Sequence, residues 1–371
     1  MKSFKVIVTG GGTGGHIYPA LAVASKLIDH QHEVLYVSRN GALEEELAKK
    51  KHINYQAINI TSFERKLSLK NLNYPYVFIK AYQQAITIIE TFMPNIVFAT
   101  GGYTTAPTLF AAYYKKIPYV IHEPDSHLGL ANRLFSFGAR AITLGMETCA
   151  NELPNYQNKI HLTGNPISQS FYDTYDRDAL AQKLGLKSDF KTLVITGGSQ
   201  GAMAINEVLC AIIEKLLANF ANLQIIHQTG SKNYDLVRSK LSANLLNNDR
   251  YLIQPYFDDL AQIYALADLA ICRSGAMTIS ELTVSGLPAI FIPYPYAAQN
   301  HQFFNADYLR DRQASLLINQ SDLNADYLYT TIAELFNDVA KLNVLKTNMK
   351  NLAKLNSANE IIKILELIAC S

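Results

Sequence analysis

Cysteine is sparse and scattered in this chain. Its four cysteines, Cys149, Cys210, Cys272 and Cys370, form no Cys-x-x-Cys pair, which argues against a zinc cage or disulfide framework and for a reducing compartment. Charge is scarce as well. Only 17% of residues are charged against 49% hydrophobic, so burial rather than disorder is expected. No run of eighteen apolar residues occurs, so no membrane-spanning helix is expected. The stretch Val6-Ile7-Val8 is too short for a signal-peptide core and fits a buried strand. One-sided charge is missing too: the net charge is +2, with 16 basic against 11 acidic residues in 1–165 and 17 against 20 in the remainder. That balance is unlike a nucleic-acid binder, and it leaves the more basic half suited to an anionic surface.

What is present is an alternation of strand-like and helical patterns over 371 residues, the mark of α/β layers with parallel sheets. Strands are predicted at Lys5–Val8, Val34–Val37, Asn95–Ala99 and Tyr119–His122, then again at Leu193–Thr196, Leu223–His227, Asp268–Cys272 and Ala289–Ile292. Ile17, Ala20, Leu21, Ala24, Leu27 and Ile28 form a helical stripe. The two openings, Val6-Ile7-Val8-Thr9-Gly10-Gly11 and Leu193-Val194-Ile195-Thr196-Gly197-Gly198, resemble each other. The expected fold is two doubly wound, Rossmann-like α/β domains joined near Gly164-Asn165-Pro166, with a ligand cleft where their glycine loops face. A last helical segment, about 357–369, is expected to pack back on the first domain.

Three turns carry the chemistry. Gly10-Gly11-Gly12-Thr13-Gly14-Gly15 satisfies Gly-x-Gly-x-x-Gly, the usual sign of a dinucleotide site. The second predicted strand, however, ends Val37-Ser38-Arg39, without the acidic residue that holds a ribose, so NAD is disfavoured while an NADP enzyme stays open. The loop at Gly197-Gly198-Ser199 and the turn Arg273-Ser274-Gly275-Ala276 repeat the strand, small-residue, helix order. Each would bring backbone N–H groups to an anion at a helix N-terminus, with Thr13 and Ser199 adding hydroxyls. Arg273 sits at a strand tip, placed for a phosphate. Glu281 lies one turn past Met277, placed for a ribose diol. The plain alternatives are tight turns needed only for packing and a surface Arg273–Glu281 ion pair.

Taken together, Gly11-Gly12-Thr13-Gly14-Gly15-His16, Gly101-Gly102-Tyr103, His122-Glu123, Gly164-Asn165-Pro166, Gly197-Gly198-Ser199-Gln200-Gly201-Ala202, Arg273-Ser274-Gly275-Ala276 and His301-Gln302-x-x-Asn305-Ala306 resemble the MurG family over nearly the whole chain. The resemblance implies the type B glycosyltransferase fold, with residues 1–165 facing acceptor and membrane and residues 166–356 binding the donor. It implies inverting transfer of N-acetylglucosamine from UDP-N-acetylglucosamine to lipid I, forming lipid II, with no cofactor and no metal. Asp176-Arg177-Asp178 has the letters of a metal-binding motif but precedes a helical pattern, where capping is expected instead.

Carried over by position, the resemblance puts the Phe257 backbone on the uracil, Ser199 and Thr278 on phosphate, and Glu281 on the ribose. The helix start Ala276, Met277, Thr278, Ile279 and Ser280, with Gln302, borders the sugar, and Arg273 offsets charge as UDP departs. Thr13, Gly14, Gly15, Asp125 and Asn132 border the sugar from the other domain, and Gly12, His16 and Tyr103 the acceptor diphosphate. Two positions depart from the family pattern: Pro124-Asp125 stands where Gln-Asn is usual, and Ser168 where an arginine is expected.

A single displacement needs a general base, and His16 is the first candidate, with Glu123 the second. The stretch from Leu67 to Tyr82, behind Arg65 and Lys66, mixes aromatic and aliphatic residues with lysines. It is expected either as a patch for the cytoplasmic face of the inner membrane or as helix core. Proteins of the wall-building machinery are possible partners. The rivals are a UDP-N-acetylglucosamine 2-epimerase of the same architecture, an NADP-dependent oxidoreductase and a non-catalytic nucleotide sensor.

Overall fold

The computed structural model describes residues 3–62, 73–198 and 200–370; Ser199 and residues 63–72, including the Arg65–Leu72 part of the expected membrane patch, lie outside them. Two compact units are present. One comprises Met1–Ser168 with Asn356–Ser371, the other Gln169–Leu355.

In the first unit, β1 (Lys5–Thr9), β2 (Glu33–Arg39), β3 (Asn54–Ile58), β4 (Ile96–Ala99), β5 (Tyr119–Glu123), β6 (Ala141–Leu144) and β7 (Ile160–Leu162) form one parallel sheet in the order 3-2-1-4-5-6-7. In the second, β8 (Lys191–Thr196), β9 (Leu223–Gln228), β10 (Tyr251–Gln254), β11 (Leu269–Cys272), β12 (Ala289–Phe291) and β13 (Ser315–Leu317) repeat it as 10-9-8-11-12-13, again parallel. Every strand predicted from sequence is present to within one or two residues.

The central strands β1, β4 and β11 are almost wholly apolar because both faces are covered. Side chains alternate: Val6 and Val8 join a core with Ile17, Leu21 and Phe98, while Ile7 joins the opposite core with Val97, Leu109 and Ile121. The helix Gly14–Asp29 buries Ile17, Ala20, Leu21, Ala24 and Leu27 of its predicted stripe; Ile28, at the helix end, is exposed. The closing helix Ser357–Ala369 puts Ile361, Ile362 and Leu365 into the Val6/Val8 core of the first unit. In the second unit one core gathers Leu193, Ile195, Ile205, Leu223, Ile271 and Phe336.

Asp176 caps the helix Arg177–Leu184, its carboxylate accepting from the backbone N–H of Asp178 and Ala179. The capping expectation thus holds, and the acidic pair is not a metal-binding strand end.

In both sheets the chain order reverses beside the first strand, between β1 and β4 and between β8 and β11. Loops leaving the carboxyl ends of such neighbours diverge to opposite faces and leave a crevice for ligands. Two such crevices are built here, one per unit.

Candidate active site

In the first unit the loops after β1 and β4 are interlocked. Gly102, at φ 86°, comes so close that a Cβ on it would lie 2.2 Å from the Gly11 carbonyl oxygen, so only glycine fits. Gly12, at φ 89°, is exposed beside the Tyr103 ring, which a Cβ would meet at 3.0 Å. Thr13 precedes the helix Gly14–Asp29 in extended conformation, and its hydroxyl makes no capping bond. The first N–H groups of that helix are left for a ligand.

His16 is held twice by Thr100, the residue after β4. The Thr100 hydroxyl donates to the His16 carbonyl at 2.6 Å, and His16 Nδ1 lies 2.9 Å from the Thr100 carbonyl oxygen. A carbonyl only accepts, so Nδ1 carries the proton and Nε2 is the proton-accepting nitrogen of the neutral ring. Gly101, at φ 97°, lies against both His16 and Asn132: a Cβ there would meet Asn132 Nδ2 at 3.0 Å and His16 Cε1 at 3.2 Å.

Asn132 is buried. Its amide nitrogen donates to the His122 carbonyl and to Glu123 Oε2, both at 2.9 Å, while its Oδ1 has no partner among the described residues. Glu123 is also buried and accepts from three donors: the Gly129 N–H at 2.8 Å, Asn132 Nδ2, and the Asp125 N–H at 3.2 Å. Burial, aided by the Asp125 carboxylate, pushes its carboxyl up to about 8 against the pull of those donors. Glu123 thus ties the loop after β5 to the helix Leu130–Phe135. His122, whose Nε2 meets Asn165 Oδ1 at 2.9 Å, is lowered to about 4 by burial, which fixes Gly164-Asn165-Pro166 to the end of β5.

In the second unit, Gly275 starts the helix Ala276–Ser285, and among the described residues there is no side-chain cap and nothing within 4 Å of where its Cβ would be. The amides of Ala276, Met277 and Thr278 are its first N–H groups. Thr278 and Glu281 are three residues apart and share a helix face. Both are half-buried, and desolvation pushes the Glu281 carboxyl up to about 8.

The Ser274 turn is bound to the helix His301–Asp311. The Ser274 hydroxyl donates to the Gln302 carbonyl at 2.7 Å, and Asn305 Nδ2 donates to the Ser274 carbonyl at 3.1 Å. Gln302 Oε1 accepts the Tyr294 N–H at 2.9 Å. A second relay crosses three strand ends: Gln228 Nε2 donates to Thr196 Oγ1 at 3.0 Å, and its Oε1 accepts the Phe257 N–H at 2.9 Å. The loop carrying Phe257 is therefore fixed from below.

Arg273 has partners within the protein that the sequence did not point to. Its guanidinium donates to the carbonyls of Ile292 (2.9 Å) and Pro293 (3.0 Å) and to Gln320 Oε1 (2.7 Å), and lies over the Tyr294 ring. It braces the segment after β12.

The N-terminal domain of glycosyltransferase family 28 matches residues 6–144 and the family's C-terminal domain residues 192–365. The chain is 37% identical, over 98% of both sequences, to the UDP-N-acetylglucosamine--N-acetylmuramyl-(pentapeptide) pyrophosphoryl-undecaprenol N-acetylglucosamine transferase of Desulforamulus reducens. The chain belongs to the MurG family. The crystal structure of Acinetobacter baumannii MurG is similar at TM-score 0.76 and 26% identity, covering 98% of this chain and 99% of that one. The UDP-GlcNAc 2-epimerase of Neisseria meningitidis, solved with UDP-GlcNAc, is similar at TM-score 0.69 and 15% identity over 97% and 99% of the chains, which shows a shared fold.

In this MurG-family chain, Gly12, Thr13, Gly14, Gly15, His16, Tyr103, Glu123, Asp125 and Asn132 fall in the first unit, the first six of them on the interlocked loops after β1 and β4 or in the first turn of the helix Gly14–Asp29. Phe257, Arg273, the Ala276–Ser280 helix start, Glu281 and Gln302 fall in the second, where the turn after β11 and the start of the helix His301–Asp311 are bonded together. Ser199 lies outside the described residues. Of the two departures, Asp125 is half-buried and Ser168 is exposed. Sequence reasoning passed over Thr100, Gln228 and Gln320. Thr100 had a signal, since it joins a strand to Gly101-Gly102; Gln228 and Gln320 have none, because their partners are 29 and 47 residues away.

Proposed function

We propose that this chain transfers N-acetylglucosamine, with inversion, from UDP-N-acetylglucosamine to undecaprenyl-diphosphate-N-acetylmuramoyl-pentapeptide (lipid I), forming lipid II in peptidoglycan synthesis. The observation that carries the reading is the full-length match to a relative whose name states this sugar and this lipid-linked acceptor. The second unit binds the donor. Phe257 backbone meets the uracil, Glu281 the ribose hydroxyls, and the amides of Ala276 and Met277 with Thr278 and Gln302 the diphosphate and sugar. The first unit receives the acceptor at Gly12 and Tyr103, with Thr13, Gly14, Gly15, Asp125 and Asn132 along the sugar.

The reaction is one displacement. The acceptor hydroxyl bonds to the anomeric carbon as the bond to UDP breaks, and His16 Nε2 takes the hydroxyl proton. Charge on the departing diphosphate is met by the N–H groups at the start of Ala276–Ser285. Glu123 serves as a positioning residue, since its carboxyl is engaged by three donors and raised to about 8. Arg273 aims the segment bearing Tyr294. Release of UDP that depends on a lipid I analogue is the expected assay result. Acceptor-independent release, or a product inverted at C2 of the donor sugar, would favour the epimerase reading and overturn this one.

The first unit is also the one proposed to meet the membrane, peripherally and from the cytoplasmic side. No helix among the described residues is long and apolar enough to cross it. The helices Tyr74–Phe92 and Ala106–Tyr114 and the segment after Leu130–Phe135 expose Tyr76, Ile79, Tyr113, Tyr114 and Phe137. They form one surface through the edge-on ring pairs Phe78–Phe110 and Tyr113–Phe137. Lys80, Lys115, Lys116 and Arg140 belong to the same segments. Aromatic side chains with flanking lysines suit an anionic lipid interface. Co-sedimentation with vesicles rich in anionic lipid is expected to fall about tenfold for the double variant Tyr113→Ser, Tyr114→Ser, taking ~1 kcal/mol or less per exposed ring. Unchanged binding would exclude this face.

A further inference from the structure

Away from the site, the first unit holds a cluster that the transfer reaction does not use. The helix Gly14–Asp29 ends at His30, Gln31 follows in the left-handed region at φ 65°, and His32 leads into β2. That reversal turns both imidazoles toward Glu366 on the closing helix Ser357–Ala369. His32 Nε2 lies 3.2 Å from Glu366 Oε1 and His30 Nδ1 lies 3.9 Å from the same oxygen. One ligand atom from each of the three residues falls within 4.8 Å of the other two.

The surroundings fix one ring and leave the other adjustable. The His32 side chain is 1% exposed, and its ring is tilted against Phe4 with centroids 3.9 Å apart. Its Nδ1 is buried without a hydrogen-bond partner among the described residues, so packing on Phe4 and the Nε2–Glu366 hydrogen bond together set the ring. His30 is 38% exposed at its side chain and can turn inward.

We propose that His30, His32 and Glu366 bind a divalent transition metal, zinc first, which closes the last helix onto the turn between the helix Gly14–Asp29 and β2. Two imidazoles and one carboxylate are a borderline-soft donor set that suits Zn2+ and leaves a fourth position to water. Tetrahedral bonds of about 2.1 Å put ligand atoms roughly 3.4 Å apart. The present spacing, at most 4.8 Å, therefore needs a contraction of about 1.4 Å or less, within reach of His30. Metal at His32 Nε2 would displace the proton to the buried Nδ1, which has no acceptor there. That cost limits the affinity. Without metal the same residues reduce to a His32–Glu366 hydrogen bond, in which His30 adds little.

The role of His30 is what separates the two. Chelator-treated full-length protein titrated with Zn2+ by calorimetry is expected to bind one equivalent, with a saturable rise in Tm and visible absorption bands when Co2+ is substituted. His30→Gln and Glu366→Gln should each weaken Zn2+ at least about tenfold, while leaving sugar transfer in chelator unchanged. Cys370 is exposed and four residues beyond Glu366, so Cys370→Ser is the thiol control and should bind as the wild type does. Equal Zn2+ affinity in the wild type and His30→Gln, loss in Cys370→Ser alone, or no binding below about 100 µM would each overturn the proposal.

Discussion

Replacing His16 with alanine is expected to lower kcat by about a hundredfold to ten-thousandfold, the range over which a positioned general base contributes, while the Kd for UDP-N-acetylglucosamine changes by about twofold or less. The size of the effect follows from the ring's fixed state. Thr100 offers a carbonyl to Nδ1, and a carbonyl can only accept, so the neutral ring presents an acceptor at Nε2 without having to select a tautomer. The ring also abuts Gly101 and, through it, Asn132, whose Oδ1 has no partner among the described residues. An acceptor hydroxyl placed there meets one group that takes its proton and another that accepts hydrogen bonds from a neighbouring hydroxyl. The contrary possibility is concrete. His16 also receives the Thr100 hydroxyl on its backbone, so the residue helps join the loops after β1 and β4. Donor affinity and kcat measured on the same preparation separate the roles: a donor Kd that collapses together with kcat would make His16 a structural residue of the loop.

Much of this arrangement was legible in the sequence, and what was not has a physical reason. Strands buried on both faces read as uninterrupted apolar runs, so Lys5–Val8 and Leu193–Thr196 stood out. The edge strand β3, Asn54-Tyr55-Gln56-Ala57-Ile58, alternates between polar and apolar and is partly exposed, and β7, β10 and β13 are only three or four residues long at the sheet edges. Nothing local marks them; pairing with a formed neighbour does. Glycine loops were legible because positive φ and close backbone approach demand glycine at Gly102 and Gly12. Roles were less legible than positions. Arg273 at a strand tip suggests a phosphate contact, and its guanidinium also donates to two carbonyls and Gln320, partners that no local pattern announces. Glu123, beside a histidine, suggests a base, yet three donors from its own loop and the next helix use it as an anchor.

Glu281 gives the other large effect, and it links donor binding to pH. Desolvation holds its carboxyl at about 8 in the free protein, so near pH 7 the group is mostly protonated. A ribose diol donates two hydrogen bonds and is best received by the ionised form. Donor binding therefore requires proton loss below pH 8. Affinity for UDP-N-acetylglucosamine is expected to rise with pH by up to about tenfold per unit, flattening above 8. The intact nucleotide sugar has no phosphate that titrates in this range, so the slope reports the enzyme. Glu281→Gln keeps the volume but neither ionises nor accepts with both atoms. It should bind about ten- to a hundredfold more weakly at pH 8, the loss of charge-assisted bonds worth ~1.5–3 kcal/mol, and its pH dependence should be flat. Stability moves the opposite way. A carboxyl raised in the folded state contributes stability that is complete below its ordinary value of 4.5 and is lost as pH rises through about 8. Free wild-type protein should then lose Tm relative to Glu281→Gln from about pH 5 up to about pH 8 and level off above it, and saturating donor should remove that difference. A wild-type affinity that does not vary between pH 6.5 and 8.5, with Glu281→Gln binding equally well, would show that the ribose lies elsewhere.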